Sequence, residues 1–498
     1  VSVIRTEDSG VWLDSTKGAV AYFSTLGLAL ALGLAMMSPV FGYVLTRPGG
    51  ESNILIVLLS VPVILLWTTL VIRGQWLHAV GMQILLLNVT ARASELAGII
   101  EYTNFDGINE TASATTVLIV VAALGAALRA KRPVVSGRAG HTGLVLLSIF
   151  GVIATVSQFA NHSLYSAFWL SITGLWQYVL VGYLVLIAIR RVDDIRILQW
   201  YMIFSVMLSA LIRLVTRGEY WKLMDGSSPA RLGSIAFGPA NYYSSTVVLV
   251  LMLCVGIFVR LTSPQAKVVC AMALGFLAME QINTYTRGGY IALALLILLP
   301  LWKAQRSFMK RFAVAIGTLT IVVGRWLIPM ILFRPIDMNE NSVQERLWLI
   351  LAALPHVFDR FGFGRGIANY VIFEDPTGTN GFQLPVHALL LECAEMVGAW
   401  ATVALVVFFA YVVVRVWRLS RTDHGVFGHY ATYLFLAIMG WHIYANTTGT
   451  SILCYAPQEA TVLVYATMFM ALRLVDLKSE MAETQDGPVA HEEIMDVR

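Results

Sequence analysis

Charge is what this chain has least of. Only 13% of its 498 residues are Asp, Glu, Lys or Arg, and 58% are hydrophobic. A soluble domain carries about 25% charged residues, so the composition excludes an ordinary water-soluble domain and describes a polytopic membrane protein. Cysteine is nearly as sparse. Cys254, Cys270, Cys393 and Cys454 are scattered, three of them inside apolar runs, which argues against a disulfide framework and against a thiolate metal site. No metal constellation, Walker loop or Rossmann fingerprint is found, so no cofactor is expected. No internal repeat suggests the inverted halves of a transporter. The N-terminus, "VSVIRTEDSGVWLDSTKG", is polar and mixed in charge, so no cleavable signal peptide is read and the first apolar run is expected to be a retained span. The net charge of +4 is small, and no nucleic acid is expected as a partner.

What the chain does have is long apolar runs. Those able to cross about 30 Å of hydrocarbon number roughly fourteen. They begin near residues 19, 54, 76, 114, 143, 167, 195, 240, 267, 288, 312, 387, 428 and 456. The third is diluted by Arg92 and Glu95. The expected fold is all-α: a bundle of transmembrane helices over 19–475, a short cytoplasmic N-terminus over 1–18, and an acidic, disordered cytoplasmic tail over 476–498.

Basic residues recur in alternate connections: Lys131, Arg132 and Arg138; Arg190, Arg191 and Arg196; Arg260 and Lys267; Lys303, Arg306, Lys310 and Arg311; Arg415, Arg418 and Arg421. The positive-inside bias assigns these to the cytoplasm. The outward side then receives 216–243, the junction "TYTRGGY", the long segment 333–386, and 446–460. Within 333–386, "NSVQERLWLILAALPHVF" has apolar residues three and four apart, the pattern of an amphipathic helix. The Gly-rich turn "GFGRGIANY" follows it.

Arg231, Arg287, Arg346 and Arg365 depart from the positive-inside pattern, since all four fall on the outward side. Ordinary roles compete for three of them: a solvated loop residue for Arg231, a partner for Glu345 or Asp359 for Arg346, a carbonyl cap for Arg365. Arg287 is harder to explain that way, because it sits between two apolar runs beside Gly288 and Gly289. A charge near the bilayer core costs roughly 2.5–3.5 kcal/mol on insertion scales. Guanidinium forks suit phosphate oxygens, and two or three would match a diphosphate; a carboxylated sugar is the alternative anion. His387 opens the run "VHALLLECAEMVGAW", where it is either an interfacial anchor or a general base for a hydroxyl. Glu395 lies about 80° from it around an ideal helix, and Glu392 about 140°. "NHS" and "NTT" fit the glycosylation acceptor pattern weakly.

Five stretches, "RLGSIAFGPANYYSS", "TYTRGGYIAL", "SVQERLWLILAAL", "GFGRGIANY" and "VHALLLECAEMVG", follow one another in this order over about residues 200–420. Their order, spacing and membrane setting resemble the O-antigen ligase / polysaccharide polymerase superfamily. The first five spans contribute only topology to that resemblance. Two positions depart from the family pattern: Gly238-Pro239-Ala240-Asn241 stands where Asn-Pro-Asn often follows the glycine, and Ala388 follows the histidine.

The resemblance implies a GT-C-type glycosyltransferase of a bacterial inner membrane, with its active site facing the periplasm. Its donor would be an oligosaccharide linked to undecaprenyl diphosphate. The acceptor would be the next lipid-linked repeat unit in a polymerase, or lipid A core in a ligase. Membrane lipids and a chain-length regulator are the further partners implied. Carried over to this sequence, Arg231 and Arg287 hold the diphosphate and His387 faces the reacting centre as the catalytic base. Arg346, Arg365 and Glu395 are assigned to substrate or to a second phosphate. Polymerisation of O-antigen, capsule or exopolysaccharide repeat units is the first expectation and ligation the alternative. A flippase or transporter is the rival from another class; it should carry charges and broken helices through the bilayer midplane.

Overall fold

The structure, a computed structural model, describes residues 65–96, 114–129, 137–217, 240–284, 286, 289, 350–351, 354–367, 372–374, 381–383, 389–448 and 458–485. The helices are α1 (Trp76–Leu96), α2 (Ala114–Arg129), α3 (Arg138–Asn161), α4 (Leu164–Ser171), α5 (Gln177–Ala188) and α6 (Val192–Arg217). After these come α7 (Ala240–Arg260), α8 (Pro264–Asn283), the short α9 (Asp359–Gly362), α10 (Leu389–Thr422), α11 (Val426–Thr448) and α12 (Gln458–Gln485). A π-helical turn, Ile172–Trp176, joins α4 to α5. Apart from α5 and α9, these helices begin within five residues of an expected apolar run. The run from 54 is described as helix over 65–73, while those from 19 and 312, and the run from 288 apart from Gly289, lie outside the described residues.

Apolar runs become helices here because a backbone in hydrocarbon must satisfy its own N–H and C=O groups within the segment. Among the described residues, five helices are long and apolar enough to cross a membrane: α3, Val192–Leu211 of α6, Tyr243–Arg260 of α7, α10, and Ala460–Glu483 of α12. α1 continues as a helix through Arg92 and Glu95, the positions that dilute its sequence pattern.

The core is organised around α12, which is almost wholly buried and packs against α3, α5, α10 and α11. Tyr465 of α12 stacks on Tyr178 of α5 at 4.7 Å between ring centroids, and Phe408 of α10 packs against both Tyr465 and Phe469. Gly182 lets α5 approach Phe469 so closely that a Cβ would overlap the ring, as small residues do between membrane helices. On one side α10 lies between α3 and α11; α11 leans in turn on α7, and α7 on α8.

The described basic connections, at Arg138, 190–196, 260–267 and 415–421, gather at one end of this bundle. Asp476 of α12 accepts from the N–H groups of Ala139 and Gly140, 2.7 Å each, in the first turn of α3. Arg473 donates from Nε to the carbonyl of Ile189 (2.9 Å), at the end of α5. Lys478 pairs with Asp423 (2.7 Å), between α10 and α11. His429 of α11 meets the carbonyl of Gly256, one turn from Arg260.

These contacts correct the expected tail boundary. The chain does not leave the bundle at 476: α12 runs on to Gln485, and Asp476 is buried. Its carboxylate has fixed partners at a helix N-terminus, where peptide dipoles favour an anion. Residues 486–498 lie outside the described residues.

Most of the expected amphipathic helix of the segment 333–386 lies outside the described residues, which take it up as helix at 350–351 and then from 354. A 3-10 turn (Leu354–Phe358) leads into α9. Beyond it, β1 (Ile372–Glu374) pairs antiparallel with β2 (Gly381–Gln383), with Phe373 opposite Phe382. This two-stranded ladder is the one departure, among the described residues, from the all-α expectation.

Candidate functional site

Two polar constructions stand at the end of the bundle opposite the basic connections. The first is built on the Gly-rich turn. Gly362, Gly364 and Gly366 all have positive φ (85°, 68° and 92°), which lets the backbone reverse tightly after α9. The turn lies against a break in α10, where Gly398 leaves the helical region at φ 89°, ψ 168°. The break frees carbonyls that an uninterrupted helix would use internally. Arg365 N–H donates to the carbonyl of Glu395 (2.9 Å), and Gly366 N–H to that of Met396 (2.8 Å).

The last turn of α3 closes the other side. Ile367 N–H donates to Gln158 Oε1 (2.9 Å), Asn161 Nδ2 to the carbonyl of Gly364 (3.2 Å), and Ser157 Oγ to that of Phe363. Trp400 Nε1 donates to the carbonyl of Phe361 (2.9 Å). A Cβ on Gly364 would lie 2.6 Å from the nitrogen of Gly398 and 2.7 Å from the carbonyl oxygen of Glu395. The turn is thus a clamp. Its N–H groups at 365, 366 and 367 are all committed to protein acceptors.

The second construction joins the start of α7 to the end of α8 and continues into the "TYTRGGY" junction. Gln281 Nε2 donates to Ser244 Oγ (2.7 Å), and Thr286 Oγ1 donates to the same oxygen (2.6 Å). Thr284 Oγ1 bonds to the carbonyl of Gln281 (2.7 Å) and lies 3.1 Å from Thr286 Oγ1. Tyr243 donates to Glu280 Oε2 (2.7 Å). All of these side chains are buried. Gly289 packs on the group so tightly that a Cβ would overlap Gln281 Nε2 and Ser244 Oγ. Thr286 and Gly289, on either side of positions 287 and 288, are therefore both seated on one polar cluster.

Both constructions lie at similar heights. Gly398 is 17 residues from Arg415 and Thr284 is 17 from Lys267, about 25 Å of helix in each case. That is near the far boundary of a hydrocarbon layer about 30 Å thick.

Of the residues expected to form a site, Arg365 and Glu395 are brought together, through the backbone bond between them. Arg365 is half-buried and Glu395 fully buried. Arg231, Arg287, Arg346 and His387 lie outside the described residues.

Two features were missed in the sequence. The end of α3 was credited with topology alone, yet Ser157, Gln158 and Asn161 hold the turn. Asn161 is the acceptor position of "NHS", and its amide nitrogen is already engaged by the carbonyls of Ser157 (2.7 Å) and Gly364. Cys254 and Cys270, 16 residues apart in sequence, have sulfurs 3.6 Å apart between α7 and α8. Only the "NHS" tripeptide carried any prior signal at these places.

Fold and charge placement define a helical membrane protein with polar machinery at one end. A scan of the chain against protein-family models finds no match, and a search of curated proteins finds none.

Proposed function

We propose that the protein is a lipid-carrier-dependent glycosyltransferase, working at the end of the bundle away from its basic connections. It polymerises oligosaccharide repeat units carried on undecaprenyl diphosphate at the periplasmic face of a bacterial inner membrane. The observation that carries this reading is the clamp: a glycine turn bearing Arg365, fixed between α3 and α10 beside the buried Glu395, about 25 Å up from the basic end. The polar cluster on both sides of Arg287 stands at the same height and supports it.

In the proposed reaction the bond between the anomeric carbon and the diphosphate oxygen breaks, and negative charge grows on the diphosphate. Arg231 and Arg287 stabilise that charge more in the transition state than in the ground state. His387 takes the proton of the acceptor hydroxyl as its oxygen attacks the anomeric carbon, giving inversion without a metal. Arg365 or Arg346 holds the phosphate of the second lipid-linked substrate.

Purified protein in vesicles with lipid-linked oligosaccharide tests this directly. Elongated lipid-linked glycan is the expected product; transfer only to lipid A core makes the protein a ligase instead. Arg287→Ala should abolish transfer while the protein remains folded and inserted, and full transfer by Arg287→Ala or Arg287→Lys would overturn the diphosphate clamp.

One observation favours a second reading. A helix broken inside a span, as α10 is at Gly398, is a transporter feature. In a transporter the break is expected near the midplane, about 15 Å from either boundary, and here it lies well beyond that. Unchanged glycan carried across the vesicle membrane would nonetheless establish the flippase reading.

A further inference from the structure

The described residues that lead into the glycine turn show a group of exposed apolar side chains. Leu351, Leu354, Phe358 and Phe361 are spaced three, four and three residues apart, and all four are exposed, Phe358 by 72% and Phe361 by 94%. Three of them lie on the 3-10 turn and α9, the two short elements that run directly into the glycine turn. Single exposed apolar residues are ordinary, but a clustered apolar face marks a partner.

The chain itself indicates which partner. Trp400 donates its indole N–H to the carbonyl of Phe361, and its ring is 58% exposed. Trp400 heads a stripe on α10 that continues through Val403, Val407 and Val414, all exposed. α10 is among the membrane-spanning candidates, so that stripe faces hydrocarbon. Leu354, Phe358 and Phe361 extend the same surface past the top of the stripe, where the tryptophan has its polar edge bonded and its apolar face open, as in interfacial aromatic belts.

We propose that Leu351, Leu354, Phe358 and Phe361, together with Trp400, form an interfacial anchor immersed in the bilayer leaflet at the end away from the basic connections, with acyl chains as the occupant of its apolar face. The sequence alone assigned this segment to an amphipathic helix within the long outward loop, without saying what its apolar side meets. Immersion sets the depth of the glycine turn: Arg365 follows Phe361 by four residues and is held at the level of the lipid phosphates. The inference does not rest on the glycosyl-transfer reading.

The test is depth measurement in lipid nanodiscs. Nitroxide labels are placed by Leu354→Cys, Phe358→Cys and Phe361→Cys in protein whose native cysteines are replaced by alanine. Val407→Cys serves as the hydrocarbon control and His424→Cys, exposed between α10 and α11, as the water control. Collisions with molecular oxygen should exceed those with a soluble nickel chelate several-fold at 354, 358, 361 and 407, and the order should reverse at 424. Chelate preference at 354, 358 and 361 would overturn the proposal, as would exclusion of both reagents, which means that a protein partner or a second copy covers the face. A photo-crosslinking benzoylphenylalanine at position 361, in a chain with native cysteines, provides an independent reading. Lipid adducts support the anchor, and adducts to protein or none to lipid refute it.

Discussion

Gly398 has a backbone conformation that residues with a Cβ rarely adopt, and a Cβ there would overlap the carbonyl of Gly362. Gly398→Ala should therefore destabilise the protein by about 2–3 kcal/mol, read as a lower melting temperature in detergent, and should loosen the Arg365 turn. At the other end, Lys478 holds the Asp423 carboxyl below its ordinary value of 3.8, with the N–H groups of Gly425 and Gly428 adding to the effect. A depressed carboxyl stabilises the fold above its unfolded value and loses that contribution as pH falls through the folded one. Stability should thus be unaffected by this group above pH 3.8 and decline below it, and Lys478→Ala should shrink that acid-dependent part of the loss. The lysine is half-exposed, so added salt should weaken the effect. The glycines of the turn were legible in the sequence because three stand close together. Gly398 was not, because one glycine inside an apolar run looks the same as Gly182, which only makes room for a ring.

Helix ends, more than helix bodies, carry the polar machinery. The last turn of α3, the break in α10 and the facing ends of α7 and α8 each expose backbone or side-chain groups that a continuous apolar helix would hide. Ser244 shows the dependence: its single oxygen accepts from both Gln281 and Thr286. Ser244→Ala should leave two buried donors unmatched and cost about 1–3 kcal/mol, measured by thermal unfolding. Transfer in vesicles should fall along with it, because the junction bearing Arg287 loses its seat. If transfer is unchanged in a destabilised Ser244→Ala protein, the cluster serves stability alone. Such a network is hard to read in sequence, since serine, threonine and glutamine are common inside membrane helices and carry no charge to betray a site. The arginines were conspicuous for the opposite reason.

At the scale of the molecule, contacts among Asp476, Ala139, Arg473, Ile189, Lys478, Asp423, His429 and Gly256 draw alternate connections to one end. That arrangement predicts a sidedness. With native cysteines replaced, Ser163→Cys, exposed between α3 and α4, should react with a membrane-impermeant maleimide applied to spheroplasts. His424→Cys should react only in inverted vesicles. Labelling of both positions from the same side would contradict the assignment of the basic end to the cytoplasm.

The apolar runs by themselves determined that this chain is a helical membrane protein and where its described spans begin, because hydrocarbon leaves the backbone one local solution: helix. The sparse charges likewise determined which of the described connections share an end. Tertiary structure alone decided that α12 is central and continues past 476, since Asp476 finds its partners on α3, 336 residues away from Gly140. It alone decided that the glycine turn is clamped between α3 and a broken α10, and that Ser244 and Gln281 meet. Those contacts join residues far apart in the chain through uncharged polar groups and backbone carbonyls, and neither periodicity nor composition records such pairings.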